Sequence, residues 1–267
     1  MCDSAFISVT ASTRSDVCRV LDEDRGLAEA IPVEHRERAI AECIAKTVSI
    51  PEGLWSGAHT PTPGDGIGLL VLDGLLIRRV GIDRGFGAEL LGEGDLLRPW
   101  QGADEPPMLP QTTGWRVLQP TRMAVLDEPF ARRLARYPQL TGRLVGRALA
   151  RSRNLAVNMA IVHQSRVDVR LHMLFWHLAG RWGRVRNDGV IVPIRLTHNV
   201  LSDLAAARRP TVTSALSELA KRELVRVVDG GWLLSGEQPG ELLELTPLPT
   251  ALATDPPPTD SITAHGQ

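Results

Sequence analysis

Residues 196–225 read LTHNVLSDLAAARRPTVTSALSELAKRELV. Val200, Leu201, Leu204 and Ala205 recur at helical spacing, as do Val212, Ala215, Leu216, Leu219 and Ala220, so the stretch predicts two short helices whose apolar stripes face one small core. Pro210 fits this reading, because proline is tolerated in a helix's first turn, where its missing N–H would have had no intrahelical partner. Two such helices around a tight turn are the layout of a helix-turn-helix. Thr211, Thr213, Ser214, Ser217 and Lys221 then point outward from the second helix, with Arg208 and Arg209 at its start, where a recognition helix meets base edges and phosphates. Downstream, LVRVVDGGWLL (224–234) sets two β-rich runs around Asp229-Gly230-Gly231. That pattern favours a tight hairpin and makes the module winged.

Charge supports the same reading. The net charge of the 267 residues is only -1, yet residues 131–226 hold 18 Lys or Arg against five Asp or Glu, a local balance of +13. Such a block attracts a phosphate backbone and releases its counterions. With 43% hydrophobic residues the chain can bury two domains' cores. No apolar run approaches the ~18 residues of a membrane span, and MCDSAFISVTASTRSD at the start lacks a basic segment followed by an apolar one. The expected location is cytoplasmic, with no membrane partner. Cys2, Cys18 and Cys43 are odd in number and widely spaced, which suits reduced thiols rather than a disulfide framework.

Five segments are expected. Residues 1–32 read as irregular. Residues 33–127 open with a helix-like stretch, VEHRERAIAECIAKTV, and continue as short β-like runs such as GIGLLVLDGLLIRRV and WRVLQPTRMAVL, punctuated by Gly, Pro and Asp. Residues 128–165 read as a connecting helix with Leu140, Leu144, Ala148, Leu155, Met159 and Val162 at helical steps, a candidate dimer seam interrupted by Arg151 and Asn158. Residues 166–245, starting with a helix around Val167 to Trp182, hold the winged helix-turn-helix. Residues 246–267 read as a disordered tail. The fold class is therefore α+β.

This order of parts resembles the Crp/Fnr family of bacterial transcription regulators over roughly residues 35–235. The Leu-Thr opening and Thr-Val core of residues 196–225 carry most of the resemblance. GLLVLDGLL looks like a strand and turn of the family's cyclic-nucleotide-binding β-roll, LLGEGDLL like its Gly-x-Gly-Asp turn, and RLARYPQLTGRL like the entry to its dimer helix. The resemblance implies an antiparallel β-roll, a homodimer and double-stranded DNA as partner, and it leaves RNA polymerase and a small-molecule effector as further partners. Thr197 matches a family position that caps the first helix near a phosphate. The DNA-binding set is thus Thr197, Arg208, Arg209, Thr211, Thr213, Ser214 and Lys221.

Two departures stand out. Where the family often shows Arg-Glu-Thr-Val-x-Arg, this chain reads Arg209, Pro210, Thr211, Val212, Thr213 and Ser214. It therefore lacks both the carboxylate that accepts from a cytosine amine and the arginine fork that reads guanine. In the sensor, Arg98-Pro99 and Gln111-Thr112 stand where cyclic-nucleotide binders carry Gly-Glu for the ribose and Arg-Ser for the phosphate. Cyclic AMP would lose both anchors. Arg98 and Arg116 remain as anion contacts and Trp100 and Trp115 as pocket walls for another effector.

The sequence calls for no cofactor or metal. An iron–sulfur sensor needs clustered cysteines, and His172 and His177, five apart, with Asp168 four before the first, make a thin ligand set. No phosphate loop, GxSxG elbow or HExxH is present, and Glu89, Glu93 and Asp95 read as solvated surface rather than acid–base machinery. An enzyme is not expected. Two other classes stay open: a regulator that binds DNA without an effector, and a protein-interaction module that keeps the helix-turn-helix fold. Steep salt dependence of duplex binding separates the last from a DNA reader.

Overall fold

The run GLLVL at residues 68–72 explains the first domain. Its side chains alternate between two cores: Leu69 and Val71 point to one, Leu70 and Leu72 to the other. A strand buried on both faces reads as continuous rather than alternating hydrophobicity. In the computed structural model, which describes residues 16–57, 66–83, 85–100 and 109–236, this run lies in strand β4 of an antiparallel roll.

The elements in chain order are β1 (Val17–Arg19), α1 (Val20–Glu23), α2 (Arg25–Ala28), α3 (Val33–Glu42), β2 (Ile44–Ile50), β3 (Gly53–Trp55), β4 (Gly68–Ile82), β5 (Gly85–Gly92), β6 (Leu96–Leu97) and β7 (Thr112–Leu126). They are followed by α4 (Glu128–Leu134), α5 (Pro138–Val162), α6 (Val167–Trp182), β8 (Arg184–Arg186), β9 (Gly189–Val192), α7 (His198–Leu204), α8 (Arg209–Lys221), β10 (Val225–Val228) and β11 (Gly231–Leu234). The first sheet runs β1-β2-β7-β4-β5, with β3 also on β7 and β6 on β4. Its long β4–β7 ladder slips register between Val71 and Leu76. Gly74 allows this slip, with φ +102 and a backbone so close to Pro120 and Thr121 that a Cβ would meet them at 2.5 Å. The second sheet, β10-β11-β9-β8, closes the C-terminal module.

Three cores result. The roll interior holds Leu69, Leu76, Leu91, Trp115, Val117 and Met123. The outer face of β4 and β7 packs on α1, α2, α4 and the start of α5 through Val20, Leu21, Phe130, Leu134, Leu140 and Leu144. The third core runs from Leu75, Ile77, Ala88 and Leu90 of the sheet through Leu171 and Phe175 of α6 to Val212, Leu216 and Leu219 of α8. Arg79 and Asp203 pair across the same junction at 3.4 Å.

Several expectations change. The 1–32 segment is not irregular in its described part: β1 pairs with β2, and Leu27 and Ile31 are buried. The single helix expected from Glu128 to Val162 is broken at Tyr137-Pro138, because a residue before proline is pushed out of the α region; Tyr137 sits at φ -126, ψ 74. The residues of the expected seam do not share one face: Ala148 and Met159 are exposed, the other four covered or partly covered. Leu140 and Leu144 are buried in their own domain, and Leu155 and Val162 face β5 and α7. One exposed face carries Gly142, Val145, Leu149, Ser152, Ala156 and, from the expected set, Met159, spaced alternately three and four apart as in a heptad. Ala220, expected inward, is exposed on α8. The hairpin β8–β9 was not anticipated, although Asn187-Asp188-Gly189 signals its turn. The tail at 246–267 lies outside the described residues.

Candidate nucleic-acid interface

Thr197 begins the module by capping α7: its side chain accepts from the backbone N–H of Val200 at 3.3 Å. Val200, Leu201, Leu204 and Ala205 are buried, and the chain then turns through Ala206 at φ +47. Non-glycine residues rarely hold this left-handed conformation, and here α6 secures it. Arg170 donates to the carbonyls of Ala205 at 2.8 Å and Ala206 at 3.2 Å. That role was not legible in the sequence, since Arg170 lies 35 residues from Ala205.

Helix α8 starts at Arg209 with Pro210 in its first turn. Val212, Ala215, Leu216 and Leu219 face inward, while Arg208, Arg209, Thr211, Thr213, Ser214, Ser217 and Lys221 are exposed. The hydroxyls of Thr213, Ser214 and Ser217 each donate to the carbonyl four residues earlier, at 3.1, 3.2 and 3.1 Å. A hydroxyl held this way keeps its lone pairs outward, so the face presents acceptors suited to base amines. Thr213 is also held at 2.9 Å by His198 Nδ1, from the first turn of α7. This contact, too, was not read from the sequence. Lys221 lies 4.0 Å from Glu218. The wing offers little to a phosphate. Asp229 occupies the exposed tip, and Arg226 is drawn toward Asp188 at 3.7 Å.

The module's sequence settles what it is. Residues 169–242 match the family model of the Crp-like helix-turn-helix domain. This segment is a Crp-like helix-turn-helix domain. The described residues have the corresponding fold. It superposes on a CooA variant from Carboxydothermus hydrogenoformans with TM-score 0.59 at 14% identity, covering 87% of this chain and 96% of that one. A cyclic nucleotide-binding domain containing protein from Listeria monocytogenes gives 0.56 at 12%, covering 80% and 96%. FixK2 from Bradyrhizobium japonicum gives 0.53 at 12%, covering 73% and 93%. At these identities the likeness is one of fold. No curated protein matches the chain.

In front of the Crp-like domain, the four effector candidates are not brought together. Trp115 is buried in the roll, edge-on to Trp55 at 5.5 Å, and Trp100 packs on the same core. Arg116 lies on the other face of β7 and is exposed, while Arg98 donates to the Gly66 carbonyl at 3.3 Å. One charged group that was read as surface is buried beside the roll. Glu89 is only 8% exposed and is gripped by Arg151 of α5 at 2.5 and 3.0 Å and by Arg78 at 2.6 Å. Arg78 also lies 5.8 Å over the Trp115 ring, and burial lowers its pKa against the pull of Glu89. Asp95 is likewise buried, accepting from the Gly92 N–H at 2.9 Å and pairing with Arg181 at 2.8 Å. Each of these acidic groups has its own cation. For Glu89 a signal was present: an acidic residue inside an apolar strand is tolerated only when paired.

The metal candidates separate in the same way. His172 Nε2 accepts from the Trp176 indole at 3.1 Å, and Asp168 pairs with Arg166 and Arg222. Among the described residues no group of three or more His, Cys, Asp or Glu could hold a metal ion, and no helix is long and apolar enough to cross a membrane.

Proposed function

We propose that the chain is a sequence-specific, non-catalytic transcription regulator that binds double-stranded DNA as a homodimer, with α8 in the major groove. The observation that carries this reading is the exposed polar face of α8, six cation and hydroxyl side chains on a helix of a Crp-like domain, with Arg208 just before it. Arg209 and Ser214 face bases, and Thr197, Arg208, Thr211, Thr213 and Lys221 set the register on phosphate and sugar. The exposed heptad face of α5 supports the homodimer, which would set two copies of α8 about one DNA turn, ~34 Å, apart.

Residues 33–127 act as the sensor, 128–165 as the connector and 166–245 as the DNA-binding module of a cytoplasmic protein. A change in the sensor shifts α5, and with it the separation of the two recognition helices. Because Arg78 and Arg151 are engaged by Glu89, the roll offers a cyclic phosphate no uncommitted arginine fork there. That favours an effector other than cyclic AMP, or regulation without one. RNA polymerase is a further partner on this reading.

Selection of bound duplexes from a random library, followed by titration of the best site at two salt concentrations, tests the reading. The expected result is an enriched palindrome whose affinity falls steeply with salt. Absence of enrichment, together with salt-independent capture of protein, would instead make the module a protein-interaction domain.

A further inference from the structure

The imidazole of His198 reaches from α7 to the exposed face of α8, where its Nδ1 lies 2.9 Å from Thr213 Oγ1. The ring is half-buried, whereas Thr197 and Asn199 beside it and Thr213 opposite are exposed. The chemistry of the pair fixes where the hydrogens lie. A threonine hydroxyl has one hydrogen to give, and Thr213 Oγ1 stands 3.1 Å from the Arg209 carbonyl, just as the Ser214 and Ser217 hydroxyls stand on the carbonyls of Pro210 and Thr213. Were that hydrogen turned to the ring instead, two oxygens would face each other at 3.1 Å with none between them. Nδ1 is therefore the donor, and the single N–H of a neutral ring is spent on Thr213.

The other nitrogen, Nε2, is then a bare lone pair in the neutral ring and an N–H donor only in the imidazolium. It bonds no described residue and is open to solvent. A duplex laid on the outer face of α8 meets this ring beside Thr213. Phosphate oxygens only accept, so the neutral ring would face them lone pair to lone pair, and protonation turns that repulsion into a charge-assisted bond. In the free chain the charges around the ring oppose protonation. Arg195 before α7 and Arg208 and Arg209 at the start of α8 are exposed cations. The carboxylate on the side of the wing is Asp229, which lines one cavity with Arg195 and Thr197, and Asp203 within α7 is taken by Arg79 at 3.4 Å.

We propose that His198 is a further DNA contact of this chain and takes up a proton when the duplex binds, donating Nε2–H to a phosphate while Nδ1–H stays on Thr213. The inference rests on the reading of α8 as a recognition helix. An imidazole changes charge across the neutral range, so affinity for the duplex rises as pH falls through that range. The bond to Thr213 is the same in both forms of the ring, so the angle between α7 and α8 is kept and the number of phosphates neutralised is what changes.

Titration of the library-selected duplex with the full chain at about pH 6 and about pH 8 reads the effect. At equal salt the parent is expected to bind about threefold tighter at the lower pH for each copy of α8 engaged, within the range that one exposed charge pair supplies. Its slope of log affinity against log salt should also be steeper there by about one per copy, for one more phosphate neutralised. His198→Gln should bring the affinity ratio to about one and make the two slopes equal. His198→Arg, charged at both values, should lose the pH dependence and keep the steeper slope. Circular dichroism at both values checks that each protein is folded. Equal affinity of the parent at the two values, or a ratio that survives His198→Gln, would overturn the proposal and leave the DNA reading intact. No duplex binding at either value would remove the reading of α8 and this inference with it.

Discussion

Arg170 Nη1 donates to the carbonyl of Ala205 at 2.8 Å, and through this bond α6 holds the turn of the helix-turn-helix in place. Ala206 next to it sits at φ +47, a conformation that the surrounding structure must secure. Arg170→Ala removes a charged donor from three carbonyls, those of Ala205, Ala206 and Gln164. We expect a loss of about 1.5–3 kcal/mol of stability, read by urea unfolding, and weaker duplex binding, since α7 and α8 lose their fixed angle. Unchanged stability would mean that the turn is self-sufficient.

Arg209 and Lys221 should fail differently. Arg209→Ala should cost about 1–3 kcal/mol on the selected duplex and relax its preference at one base position. Lys221→Ala should weaken all duplexes alike and lower the slope of log affinity against log salt by about one. Equal effects of both changes on every sequence would remove Arg209 from base reading.

Glu89→Gln keeps the shape and deletes the charge, leaving Arg78 and Arg151 facing each other without an anion. Breaking a buried pair costs ~3–5 kcal/mol. The arginine side chains here keep 31% and 21% of their exposure, so we expect about 2 kcal/mol after solvent screening. Denaturant titration of the variant measures it.

Leu149 lies 56% exposed on the heptad face of α5, between Val145 and Met159 at 52% and 63%. Leu149→Glu places a carboxylate in the proposed seam. Sedimentation velocity should show a dimer for the parent chain and a monomer for the variant, with circular dichroism unchanged.

His177 predicts a direction of pH dependence. Burial pushes its pKa below the ordinary value of 6.5, so between the two values the unfolded chain binds the additional proton. Its contribution to stability is therefore fully present above the unfolded value and is lost as pH falls through 6.5 toward the folded value. Comparing unfolding at about pH 7.5 and about pH 5.5, the parent should lose more stability than His177→Gln. A parallel loss in both would assign the acid sensitivity elsewhere.

Local periodicity made the helix-turn-helix legible. Val200 to Ala205 and Val212 to Leu219 mark their buried faces within a few turns of chain, and the bounds expected for α6, Val167 to Trp182, are those observed. The roll was readable as β-rich for the same reason. What escaped reading was contact between distant segments. Glu89 looks like surface until Arg151, 62 residues away, is seen to bind it. On helix α5, spacing alone could not say that Leu140 and Leu144 would be buried in the core of their own domain while Val145 and Leu149 stayed bare. Trp115 and Arg116 were both read as effector contacts, yet adjacent residues of a strand point to opposite faces.

The third core joins Ile77 in the sheet to Leu216 in α8 without a break. Under the proposed reading, a genetic screen for loss of DNA binding would collect substitutions in the sheet as readily as in the recognition helix. The two classes would part in the cell rather than on the operator: a lesion at Ile77 lowers the abundance of the protein, whereas one at Arg209 leaves as much of it present and unable to read.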